Sequence, residues 1–147
     1  MIDTIDQQLI AALMDDSRLS LKALAGITGL SSPSVGERLR RLEERGVLTH
    51  YTVDIDPRHF GYLLQAIVRI RPLPGKLQEV ERQIQAIPEF TECDKVTGED
   101  CFIARLHVRT MDHLDNLLDR INAYAETNTA IVKKTPVKRR LPPLGND

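Results

Sequence analysis

From Leu64 onward the apolar residues alternate between a strand period and a helix period, and that order limits the fold more than any other feature. Leu64–Ile70 is rich in branched residues and reads as a strand stopped by Pro72-Leu73-Pro74-Gly75. Leu77, Val80, Ile84 and Ile87 recur at helical spacing until Pro88. Phe90–Thr97 reads as a second strand, Gly98-Glu99-Asp100 as a hairpin turn, and Cys101–Val108 as a third strand with Phe102, Ala104, Leu106 and Val108 on one face. Thr110 can cap a helix that turns Met111, Leu114, Leu117, Leu118 and Ile121 inward, and a last strand is expected at about Thr129–Thr135. The order βαββαβ is that of a ferredoxin-like domain, an antiparallel sheet with both helices on one face. Its other face carries Ile67 and Ile103 among polar groups, and pairing with a second subunit is the usual way to cover such a face.

The preceding residues keep the helical period. Ile2, Ile5, Leu9, Ile10 and Leu13 give one apolar stripe from about Asp3 to Met14, broken by Asp15-Asp16-Ser17. Ser20 is a plausible N-cap for a short helix carrying Leu21, Leu24 and Ala25. A tight turn follows over Gly26-Ile27-Thr28-Gly29-Leu30-Ser31, with Gly29 suited to a positive φ. Ser31 or Ser32 can cap a third helix, Pro33 suits its first turn, and Val35, Leu39 and Leu42 face inward. Gly46-Val47-Leu48 ends it, and Thr49–Val53 alternates like a strand.

The spacing of Ala25, Gly29 and Val35 matches two helices crossing at a tight turn: a small residue at the crossing, a turn glycine, an apolar anchor. With an arginine-bearing third helix, it predicts a helix-turn-helix that reads duplex DNA. Ser31, Ser32, Ser34, Glu37, Arg38 and Arg41 are the residues expected at base edges or phosphates, with Arg40 and Arg45 either joining them or forming only solvated i,i+4 pairs. The formal net charge of −1 over 147 residues is low for such a protein. Arg38, Arg40, Arg41 and Arg45 nevertheless crowd one segment, and several subunits acting together could supply the missing charge.

Apolar residues at 41% and charged residues at 28% fit a soluble domain. No apolar run approaches the roughly 18 residues of a membrane span, so no membrane partner is expected. The acidic start, Ile2-Asp3-Thr4-Ile5-Asp6, lacks a signal-peptide pattern, and a cytoplasmic location is expected. Cys93 and Cys101 suit free thiols in a reducing compartment. With His107 they lack the short chelating spacing of a zinc site, so no metal and no cofactor are expected.

Across nearly its whole length the chain resembles the Lrp/AsnC (feast/famine) family. The resemblance is carried by Ile2-Asp3-Thr4-Ile5-Asp6, by Leu24–Ser31, by Arg38–Leu48 and by Val96-Thr97-Gly98-Glu99-Asp100. It implies an α+β protein: an N-terminal winged helix-turn-helix at 1–52, a linker at 53–62, a ferredoxin-like RAM/ACT-like domain at 63–140 and a tail at 141–147. It also implies a transcriptional regulator that dimerises through its sheet domain and assembles further to a tetramer or octamer. An amino acid or similar metabolite is implied as effector, held by the hairpin Thr97, Gly98, Glu99, Asp100 and Cys101. A glycine allows close backbone approach, turn N–H groups suit a carboxylate, and an acid suits an ammonium. The chain departs from the family pattern at Glu99, where Asp is usual, and at Cys101, where a second Asp is usual.

Two rival functions share this scaffold. One is an enzyme similar to siroheme decarboxylases, which an arginine-rich third helix would not serve. The other is an architectural DNA-binding protein without an effector. The basic segment around Lys138-Arg139-Arg140 reads as either a solvated tail or a strand extension.

Overall fold

The computed structural model describes residues 2–145. Met1, at the start of the expected first domain, and Asn146-Asp147, at the end of the expected tail, lie outside the described residues. Two compact units divide the chain: residues up to Asp54 together with those from Arg139 on, and Ile55–Lys138.

The first unit holds α1 (Thr4–Asp15), α2 (Leu21–Thr28) and α3 (Ser32–Glu44). Each begins where a short polar side chain can accept an orphan backbone N–H: Asp3 from Asp6, Ser20 from Ala23, Ser31 from Ser34. Helix α2 runs through Gly26-Ile27-Thr28, where the sequence suggested a turn. It stops only at Gly29, whose φ of 75° is left-handed and whose N–H closes on the Ala25 carbonyl at 2.8 Å. Leu9, Ile10, Leu24, Val35, Leu39 and Leu42 form the core. Burial of side chains this size stabilises by roughly 1.5–3 kcal/mol each.

Residues 49–56 form neither helix nor strand and pair with no strand among the described residues, so the expected strand Thr49–Val53 is absent. An isolated strand has nothing to receive its backbone hydrogen bonds, and Val53 and Ile55 stand exposed. Tyr51 alone folds back: its hydroxyl donates to Glu43 at 2.9 Å, and burial with that bond raises its phenol to about 12. The C-terminal segment is neither wholly solvated nor a strand, because Leu144 packs against the helical core.

The second unit opens with a 3₁₀ turn, Pro57–Phe60, closed by Gly61. Arg109 stacks on Tyr62 and donates to the Phe60 carbonyl at 2.8 Å, crowding the spot where a Gly61 side chain would stand. Then come β1 (Leu64–Pro72), α4 (Leu77–Ala86), β2 (Phe90–Lys95), β3 (Phe102–Val108), α5 (Met111–Asn122) and β4 (Ala125–Ile131), in the antiparallel order β2-β3-β1-β4. Ala66, Val68, Ile70, Phe102, Ala104, Leu106 and Val108 meet Val80, Ile84, Leu114, Leu117, Leu118 and Ile121 in one core. Met111, expected inward, is 49% exposed.

The last strand begins four residues before the expected Thr129. Leu73 donates to the Tyr124 carbonyl at 2.8 Å, Ala125 pairs with Pro72 and is buried, and the ladder closes at Ile131 opposite Ala66. An edge strand needs little apolar surface, so Glu126-Thr127-Asn128 gave no period to read. The sheet's other face presents Gln65, Ile67, Arg69, Arg71, Ile103, Arg105 and His107, none of them buried.

Candidate nucleic-acid interface and effector hairpin

Helix α3 turns Val35, Leu39 and Leu42 into the core, so 3.6 residues per turn leave Glu37, Arg40, Arg41 and Glu44 on the opposite side. At its start Ser31 is occupied in capping: its hydroxyl accepts from the Ser34 N–H at 3.3 Å and bonds the Ser34 hydroxyl at 2.9 Å. Ser34 itself is exposed and Ser32 half-buried.

The arginines divide into two groups. Arg38 stands on the flank toward α1, where its guanidinium donates to Asp3 at 2.7 Å and to Asp6 at 3.1 Å. Asp6 is the one buried charged residue among those described, at 8% exposure. The Arg38 bond, with the Asp6 backbone N–H, holds the Asp3 carboxyl below its ordinary value, and the two carboxylates raise Arg38. Arg41 and Arg45 join these three residues and Leu42 around a cleft of about 240 Å³.

The second group lies on the outer face. The Glu37 carboxylate takes Arg40 at 2.6 Å and Arg41 at 3.1 Å, while Arg40 also bonds Glu44. Principally through Arg40, these cations hold the Glu37 carboxyl below its ordinary value. Arg40 is thus held in i,i+3 and i,i+4 pairs on the outer face of the helix. Arg45 is exposed at the C-cap of α3.

In the other unit, Thr97-Gly98-Glu99-Asp100-Cys101 joins β2 to β3. The turn is closed by Val96 donating to the Cys101 carbonyl at 2.7 Å and by Cys101 donating to the Glu99 carbonyl at 3.1 Å. Gly98 has a φ of 106°, a conformation that side chains rarely adopt. Thr97, Gly98 and Glu99 are exposed, and Cys101 is half-buried with a free thiol.

Both hairpin acids have a partner that sequence reasoning missed. Arg71, at the end of β1, lies 2.9 Å from the Glu99 carboxylate and 3.4 Å from that of Asp100. No local pattern marks it. The signal was the register of β1 on β3: once Ile70 sits opposite Phe102, the next residue meets the hairpin. A guanidinium beside two carboxylates at an open turn offers complementary charges to both ends of a zwitterion.

A second cleft, of about 120 Å³, lies between α4 and the β2 edge, lined by Glu81, Ile84, Gln85, Cys93, Lys95 and Phe102. It does not include the hairpin. Among the described residues no group of acids, histidines and cysteines could hold a metal ion, and no helix is long and apolar enough to cross a membrane.

Both parts of the chain are similar to known proteins. Residues 2–43 match the AsnC-type helix-turn-helix domain and residues 65–142 the Lrp/AsnC ligand binding domain. The chain is 33% identical to the HTH-type transcriptional regulator FL11 of Pyrococcus horikoshii over 137 residues, covering 91% of each. It is 37% identical to the HTH-type transcriptional regulator LrpA of Mycobacterium tuberculosis over 129 residues, covering 87% of this chain and 86% of that one. The fold superposes on that of LrpC from B. subtilis with a TM-score of 0.89, at 27% identity and 95% and 99% coverage. A feast or famine regulatory protein from M. tuberculosis, solved with L-methionine, superposes with a TM-score of 0.88, at 35% identity and 96% and 98% coverage.

Proposed function

The chain belongs to the Lrp/AsnC family, and from that premise we propose how its parts divide the work of a DNA-binding transcriptional regulator. Its curated relatives are transcriptional regulators, and it is one too, not an enzyme of the decarboxylase kind. Residues 1–52 meet DNA, residues 63–140 pair subunits and hold the effector, and 53–62 link the two. On α3, Ser32, Ser34, Glu37, Arg40, Arg41 and Arg45 face the duplex. Ser31 acts through its cap and Arg38 through its bonds to Asp3 and Asp6, positioning the helix. The regulator works in the cytoplasm.

Subunits pair through the open sheet face as homodimers, which assemble further to a tetramer or octamer. Half-apolar positions such as Ile67 and Ile103 support that pairing, and so does the low net charge, because duplex affinity must then come from several modules acting together.

The effector is an amino acid. The observation that carries this reading is the pairing of Arg71 with Glu99 and Asp100 at an open hairpin, supported by the methionine-bound neighbour. The ligand's carboxylate goes to Arg71 and the hairpin N–H groups, its ammonium to the acids. The hairpin's exposure fits a pocket completed by another subunit, so ligand binding and assembly are linked. Thermal melting with each common amino acid, L-methionine included, tests it. At least one should raise the melting temperature, since a ligand that binds only the folded state stabilises by mass action. No shift with any of them at millimolar concentration would leave an architectural DNA-binding protein.

A further inference from the structure

The centre of the reading face of α3 is acidic. Counting round the helix, Glu37 lies about 200° from the buried Val35, and Arg40 and Arg41 flank it, both bonded to its carboxylate. From this geometry we infer that Glu37 sets specificity, holding Arg40 and Arg41 back from phosphate and releasing one of them at a G·C base pair. The inference rests on the reading of α3 as the helix that meets DNA.

Binding here is an exchange of partners. On non-cognate DNA, a phosphate can take an arginine only by stripping it from Glu37. That leaves an unpaired carboxylate among backbone phosphates of like charge, and the exchange gains little. In the major groove a G·C pair offers both partners at once: guanine O6 and N7 accept from arginine, while the cytosine N4 amine donates to a carboxylate. An A·T pair also has an amine, but adenine N6 stands beside only one acceptor on that base, N7. A G·C pair therefore satisfies arginine and glutamate together. Glu44, bonded to Arg40 alone among the described residues, lies two turns further along and shares the charge but not the position.

The test compares the full-length wild type with Glu37→Gln and Glu44→Gln. Binding to a short mixed-sequence duplex is measured over a salt series, and preferred sites are selected from a random library. Both side chains are exposed, and matching melting curves would confirm intact folds. Glu37→Gln should bind the mixed duplex several-fold more tightly, its dependence of log affinity on log salt steeper by about 1–2 per subunit as freed arginines reach phosphates. Its selected sites should lose a G·C preference at one position in each half-site. Glu44→Gln should tighten mixed-sequence binding and keep that preference. Unchanged or weaker mixed-sequence binding by Glu37→Gln, unchanged selected sites, or the same loss of preference in Glu44→Gln would each overturn the inference. If the wild type selected no site and did not bind the mixed duplex, the reading of α3 itself would fall instead.

Discussion

Arg38 reaches back along the chain to donate to Asp3 at 2.7 Å, tying the helix proposed to read DNA to the N-cap of α1. The same guanidinium serves Asp6, whose side chain is 11% exposed. A nearly buried carboxylate left without its cation costs more than the pair was worth. Arg38→Ala should therefore destabilise the helical unit by about 1–3 kcal/mol. Adding Asp6→Asn to that variant should recover part of the loss, read in urea melts of the single and double variants.

A second ion pair gives a pH signature. Asp56 accepts the Arg58 guanidinium at 2.7 Å and caps the 3₁₀ turn, and these bonds lower its carboxyl from 3.8 to about 2. A carboxyl depressed in the folded state stabilises fully above its unfolded value and loses that contribution as pH falls through the folded one. Asp56→Asn, which can keep the cap but not the charge, should melt slightly below the wild type at neutral pH. The gap should close between pH 3.8 and about 2. Both carboxylate and guanidinium are solvated, so the effect is small.

Arg71 is half-exposed and sits at the end of a strand, so replacing it should leave the fold nearly unchanged. If it receives the effector's carboxylate, Arg71→Gln should weaken amino-acid binding about tenfold or more, since a charge-assisted bond is worth about 1.5–3 kcal/mol. Calorimetric titration checks this with whichever amino acid stabilises the wild type. Equal affinity in the variant would assign Arg71 to holding the hairpin only.

Among the described residues of its segment, Leu144 is the one apolar side chain placed against the helical core. Leu144→Ser should lower stability by about 1 kcal/mol, part of the value of a fully buried leucine because this one is only half-buried. The loss should appear in melts of the full-length protein and be absent from Pro143→Ser, whose side chain is exposed.

Local chemistry made most of the fold legible. Ser20, Ser31 and Thr110 announce their helices because a side-chain acceptor is needed at each N-terminus. Val35, Leu39 and Leu42, or Phe102, Ala104 and Leu106, declare their buried faces by spacing alone. What escaped depends on partners distant in sequence. Nothing near Arg38 says that it turns toward Asp3 and Asp6, and nothing near Arg71 points to Glu99. Strand β4 came earlier than its branched residues suggest because backbone pairing with β1, not apolar surface, defines it. Thr49–Val53 has a strand's alternation but no partner strand.

The central claim is that this regulator meets DNA with the outer face of α3, and salt-dependent binding of the Arg40→Ala, Arg41→Ala double variant tests it most directly. Fluorescence anisotropy over a salt series, on a duplex carrying the site that the wild type selects, should show binding about tenfold weaker than wild type, because the arginine that leaves Glu37 there for guanine is gone. An unchanged affinity for that duplex across the series would contradict the account.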